Sequence, residues 1–195
     1  MTIKITPITN RLFQVENIFD EQVMETVNTI NWLELPWHKG DGHEEWKRRR
    51  INLGIPEVVE LNKMMQPFIE KINEEMSMDI NTNTVTWWLD EPGFTCGIHV
   101  DQYLPKTIQV YMICPNEEVG TSFYKPVKPD RPVDDEFIFE ISQYPLYTFK
   151  SIPNTGYIML NYPDSDGSTP LLWHDMHVPV PDNCIRLSCY YNILK

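Results

Sequence analysis

The sequence has no Cys-x-x-Cys pair, no apolar run approaching a membrane span, and too few basic residues to balance its acids. Sixteen Lys and Arg stand against twenty-eight Asp and Glu, a formal net charge of −12. A broad nucleic-acid surface needs a basic face, so this balance argues against nucleic acid as a partner. It leaves room for a small basic pocket that takes an anionic metabolite. With no run near the twenty apolar residues that a helical span requires, no membrane is expected. Cys96, Cys114, Cys184 and Cys189 are scattered, and the opening Met1-Thr2-Ile3-Lys4-Ile5 is too short and polar for a secretory signal. The thiols are therefore expected to be reduced core residues of a cytoplasmic protein. Glycine is scarce too: eight, against sixteen prolines. That ratio favours stiff turns and short segments over a long helical bundle.

What is present changes character along the chain. The first part reads as helical. Asp20 is a candidate N-cap ahead of Val23, Val27 and Ile30 at helical spacing. A second helix is expected from Pro56, with Val58, Leu61, Met65, Phe68, Ile69 and Ile72 as its buried stripe and a kink or break at Pro67. The basic run Lys47-Arg48-Arg49-Arg50 reads as a solvated face. From Thr82 the pattern becomes short alternating runs. Thr107 to Cys114 puts Ile108, Val110, Met112 and Cys114 on one face and Thr107, Gln109, Tyr111 and Ile113 on the other. Turn signals separate about eight such runs, which predicts a double-stranded β-helix, or jelly-roll, barrel. The fold class expected is mainly β with flanking N-terminal helices. Residues 1–195 form one domain in this reading, with about 1–80 as a helical part packed on a jelly-roll core of about 81–195.

The chemistry starts at Gly97-Ile98-His99-Val100-Asp101. In extended chain, residues two apart project to one side, so His99 and Asp101 can converge on one point. An imidazole and a carboxylate are two of the three ligands of the facial triad that holds iron(II) with open positions. The third is expected from Trp173-His174-Asp175-Met176-His177, whose two histidines would lie on opposite faces of a strand. A hairpin centred near Asp182 would bring Arg186 almost opposite His177. His177 is therefore preferred, with His174 as the alternative. Arg186 and Ser188 share a face, and an inward guanidinium with no evident acidic partner nearby suits a carboxylate ligand.

These residues together resemble the iron(II)/2-oxoglutarate-dependent dioxygenases, in particular the prolyl 4-hydroxylase-like branch. The resemblance runs from about residue 84 to 193. It is carried by His99-Val100-Asp101, His177 and Arg186-Leu187-Ser188, by the lead-in Asp90-Glu91-Pro92-Gly93-Phe94, and by Gly120-Thr121-Ser122-Phe123 and Pro153-Asn154-Thr155-Gly156-Tyr157. It implies His99, Asp101 and His177 as ligands of Fe(II). Arg186 would hold the distal carboxylate of 2-oxoglutarate with Ser188 assisting, and Tyr111, then Gln109, would add a hydrogen bond. It further implies O2 as oxidant and ascorbate as an accessory reductant. Succinate and carbon dioxide would be released as a prolyl residue of a peptide, or a small amino-acid-like molecule, is hydroxylated. In the nucleic-acid dealkylating branch a second arginine follows six residues after the first; here Asn192 stands there.

The reading from a different class is a non-catalytic metal-binding jelly-roll module that docks a partner. Residues 125–136 are a candidate lid. His38 and His43 lack a third ligand at metal spacing, and Asp164-Ser165-Asp166-Gly167 lacks the distant glutamate of a calcium loop, so it reads as a turn.

Overall fold

A computed structural model describes residues 2–38, 47–51, 54–101, 104–125, 132–133, 136–137, 142–161 and 172–193. Two strands open the chain, β1 (Lys4–Pro7) and β2 (Leu12–Glu16). Helix α1 (Glu21–Thr29) follows, then strands β3 (Trp37–His38) and β4 (Arg48–Ile51) and helix α2 (Pro56–Met76). Next come β5 (Val85–Asp90), β6 (Cys96–His99), β7 (Lys106–Ile113), β8 (Thr121–Tyr124) and the short pair β9 (Pro132–Val133) and β10 (Glu136–Phe137). The last four are β11 (Tyr147–Phe149), β12 (Thr155–Leu160), β13 (Trp173–Met176) and β14 (Arg186–Ile193).

The strands form a large sheet in the order β1-β2-β12-β7-β14-β5-β4-β3, facing a smaller one in the order β11-β8-β13-β6. From β5 to β8 and again from β11 to β14 consecutive strands alternate between the two sheets, as in a double-stranded β-helix, with the separate β9–β10 pair between β8 and β11. The expected jelly roll is present. Its large sheet is extended at both edges by strands from the first fifty-one residues, where the sequence pattern predicts helix. Those strands are two to five residues long. So short a segment carries almost no periodicity of its own; pairing with the edges of β12 and β5 makes it a strand.

The helices sit where their apolar stripes demand. The Asp20 side chain accepts from the Val23 backbone N–H at 2.9 Å and caps α1. Val58, Leu61, Met65, Ile69 and Ile72 of α2 are fully buried against Val85, Trp87 and Leu89 of β5 and Ile108, Val110 and Met112 of β7. Each such aliphatic side chain contributes roughly 2 kcal/mol by leaving water. α2 continues through Pro67. Pro67 and Lys63 both lie on the exposed face, so water can satisfy the Lys63 carbonyl that loses its amide partner. Between the two sheets lies a second cluster of Leu12, Tyr111, Phe123, Phe149, Tyr157 and Met159. No helix among the described residues is long and apolar enough to cross a membrane.

Gly156 shows how closely the large sheet is built. It lies in the middle of β12 between β2 and β7, and a Cβ there would stand 1.9 Å from the Gln109 carbonyl oxygen. Backbone cannot step aside as a side-chain tip can. Gly156→Ala is expected to cost about 2 kcal/mol, read as a fall in Tm of about 4–8 °C; an unchanged Tm would show that the two strands can part freely.

Candidate metal centre and anion pocket

His99 ends β6, and its Cα partner across the small sheet is His174 of β13. Asp101 lies two residues beyond His99. One donor atom each from His99, Asp101 and His174 lies within 4.8 Å of the others. His99 Nε2 is 3.7 Å from Asp101 Oδ1, and His174 Nε2 is 3.6 Å from Asp101 Oδ2. The far side of each ring is anchored. His99 Nδ1 meets the Gly97 carbonyl at 2.7 Å, and His174 Nδ1 meets the Leu172 carbonyl at 3.1 Å. A carbonyl only accepts, so each Nδ1 carries a proton, which leaves Nε2 on each ring as the atom that can ligate a metal once it is free of its own proton. Bonds of about 2.1 Å hold adjacent ligand atoms about 3 Å apart, so the two histidine–Asp101 pairs, at 3.7 and 3.6 Å, would close by less than an ångström on a divalent ion. The donor set fits a divalent transition metal with three open positions.

Without an ion the two imidazoles titrate apart. Burial disfavours a charge on His99, yet the Cys96 thiol, the Gly97 carbonyl and Asp101 together push its pKa up to about 9. His174 goes the other way, down to about 4, because burial outweighs its attraction to Asp101 and the neighbouring His99 adds repulsion.

The structure sets His174, not the preferred His177, beside His99 and Asp101. His174 is buried in the small sheet, stacked against Phe123 at 5.1 Å between ring centroids. The His177 side chain is 60% exposed just past the end of β13 and faces Asp175 at 3.3 Å. It lines a separate groove of about 820 Å³ with Glu117, Glu118, Tyr124 and Val178. The physical reason lies in the pairing. β13 and β14 are not a hairpin: β13 pairs with β6 and β8, whereas β14 pairs with β5 and β7 in the other sheet. The turn after His177 therefore carries the chain from one sheet to the other, and no register ties Arg186 to His177.

Arg186 is buried on β14 and, contrary to expectation, has an acidic partner. Its Cα partner on β5 is Asp90, whose other neighbour in the row is Arg48 of β4. Arg186 Nε donates to Asp90 Oδ2 at 2.8 Å and Nη1 donates to the Val119 carbonyl at 3.0 Å. Arg48 Nε donates to Asp90 Oδ1 at 2.5 Å and Nη2 to Oδ2 at 3.1 Å. Burial alone would raise the Asp90 pKa, but the two guanidiniums hold it below the usual carboxylate range. The basic run is thus only partly a solvated face, with Lys47 and Arg50 exposed and Arg48 turned inward. The Arg48 side chain is only 14% exposed, and Arg49 pairs with Glu91 at 2.5 Å.

Arg48 and Arg186 line one small cavity with His99, His174, Gln109 and Tyr190. Gln109 accepts from the Tyr190 hydroxyl at 2.8 Å and donates to the Ser188 hydroxyl at 3.4 Å. Ser188 is fully buried behind that wall. Tyr111, ranked above Gln109 from the sequence, instead donates to the Thr121 hydroxyl at 2.8 Å, its ring 5.7 Å from the Arg186 guanidinium carbon. The cavity holds about 30 Å³, room for about one water, so a larger ligand requires wall side chains to shift. His43 and Asp164 to Gly167 lie outside the described residues, as does most of 125–136.

No family model matches the sequence, and no curated protein does. Solved structures do match in fold. A viral collagen prolyl hydroxylase from Paramecium Bursaria Chlorella virus-1, in its 2OG complex, is 12% identical with a TM-score of 0.58, over 95% of this chain and 97% of that one. HygX from Streptomyces hygroscopicus, with nickel and 2-oxoglutarate bound, is 11% identical with a TM-score of 0.58, over 93% and 81%. A Pseudomonas putida prolyl-4-hydroxylase is 13% identical with a TM-score of 0.51, over 96% and 94%. The fold is the double-stranded β-helix found in the 2OG-Fe(II) oxygenases and their prolyl-hydroxylase branch.

Proposed function

We propose that this chain is an iron(II)- and 2-oxoglutarate-dependent oxygenase, with His99, Asp101 and His174 as the metal ligands. The observation that carries the reading is the paired anchoring of both imidazoles, each turning Nε2 toward the Asp101 carboxylate. Iron(II), when bound, supplies the oxygen chemistry that couples decarboxylation of 2-oxoglutarate to hydroxylation. The chain's own residues bind and orient. Arg186 and Gln109 face the cosubstrate from the large sheet, and Ser188 holds Gln109 from behind. A non-catalytic jelly-roll module would have no use for two arginines, one buried and one largely so, on the wall of the cavity that holds the two histidines.

The substrate we propose is a prolyl residue in a peptide or a small amino-acid-like molecule, supported by the presence of prolyl hydroxylases among the similar folds. We read residues 1–195 as one domain. Anaerobic protein given Fe(II) and 2-oxoglutarate should show a weak visible charge-transfer band, and in air it should release succinate slowly without substrate. Asp101→Ala should lose both. Absence of the band and of succinate in the unaltered protein would refute the reading. Stimulation of succinate release by proline-containing peptides, set against free amino acids, separates the two substrate classes.

A further inference from the structure

We infer that Arg48, supplied by the added strand β4, binds the distal carboxylate of the cosubstrate jointly with Arg186. This rests on the proposed oxygenase reading. In the row Arg48–Asp90–Arg186, one buried carboxylate is shared by two guanidiniums. Were Arg186 alone on that wall, Asp90 would cancel its charge and leave a neutral site with little pull on an anion. Arg48 restores the surplus. A divalent metal and two guanidiniums bring four positive charges, and Asp101 and Asp90 bring two negative ones. The remaining two match a dicarboxylate lying between metal and arginines.

Arg48 is also placed to move. It sits on a four-residue strand at the margin of the large sheet, and its guanidinium lies over the Phe94 ring at 4.3 Å and the Trp88 ring at 5.3 Å. Flat aromatic faces let a guanidinium slide while it keeps a favourable contact. Both guanidiniums grip Asp90, but Arg186 is held by the Val119 carbonyl as well and is 1% exposed, against 14% for Arg48, so it has less freedom. Arg48 is therefore the group that gives way when a dicarboxylate enters a cavity of about 30 Å³.

Calorimetric titration of 2-oxoglutarate into Ni(II)-loaded protein tests this without turnover. Arg48→Met should weaken 2-oxoglutarate at least about 30-fold, the effect of losing one buried charge contact. Arg48→Lys should stay within about fivefold, the size of a geometric change with the charge kept. The same Arg48→Met change should leave 2-oxopentanoate, which has the keto-acid head and no distal carboxylate, unaffected; a general structural role would weaken both ligands alike. The double variant Arg48→Met/Asp90→Asn restores the cationic surplus on Arg186 and should recover most of the lost affinity. If Arg48→Met does not fold, Arg48→Gln keeps a donor toward Asp90 without the charge and carries the same expectation. Unchanged 2-oxoglutarate affinity without the Arg48 charge, equal losses for both ligands, or no recovery in the double variant would each overturn the assignment. No 2-oxoglutarate binding by the unaltered protein would overturn the oxygenase reading itself, and this assignment with it.

Discussion

His174→Ala is expected to abolish divalent-metal binding and with it the charge-transfer band, whereas His177→Ala should leave both intact. The contrast follows from where the small sheet puts the two side chains. His174 is paired in register with His99, and its Nε2 stands 3.6 Å from Asp101. Removing it leaves two protein ligands, too few to hold a metal against water at micromolar concentration. The loss in affinity should exceed the 10–100-fold typical of disturbing a ligand's support. A milder version tests the anchoring. His174→Gln keeps a polar side chain but cannot repeat the Nδ1 contact to Leu172, so it should bind metal weakly if at all. His177 points into the outer groove beside Asp175, away from this chemistry. Titration of Co(II) or Ni(II) into each variant decides the matter. Retained binding in His174→Ala with loss in His177→Ala would return the third ligand to His177.

That confusion marks the limit of what the chain discloses by local pattern. His99 and Asp101 were legible because a period of two needs only three consecutive residues. The strands of the barrel were legible because their alternation survives in runs such as Thr107–Cys114: Ile108, Val110 and Met112 join the helix-side cluster and Tyr111 the inter-sheet one, and only past the register shift with β14 do Ile113 and Cys114 trade sides. Which strand lies beside which was not legible. A chain that turns after His177 looks the same whether it folds back in one sheet or crosses to the other. His174 or His177 depends on that alone. Asp90 and Arg48 were missed for the same reason. Asp90 ends a strand that pairs with both β4 and β14, forty-two residues from one arginine and ninety-six from the other. A run of like charges reads as solvated until a buried acid is known to face it. Gln109 and Tyr111 show a finer limit: period two put them on one side of β7, but it could not tell which would line the cavity.

Asp90 also sets the second large expected effect. Asp90→Leu would remove the one carboxylate between two arginines, leaving Arg186 at 1% side-chain exposure with no acidic partner. Breaking a buried ion pair from one side costs about 3–5 kcal/mol, and for a chain of this length that predicts a fall in Tm of about 6–20 °C. Asp90→Asn should lose less, since the amide oxygen still accepts from one guanidinium. The pH dependence has a definite sign. Asp90 is held below its ordinary carboxylate value in the folded state. Its stabilisation is therefore complete above the unfolded-state pKa of about 3.9 and lost as pH falls through the folded value. Acid unfolding of the unaltered protein should steepen below about pH 4, where an unfolded aspartate begins to take up its proton. In Asp90→Asn that part of the slope should be shallower by close to one proton. If the two acid-unfolding curves share a slope and differ only by a constant offset, the carboxylate is not what holds the two arginines in place.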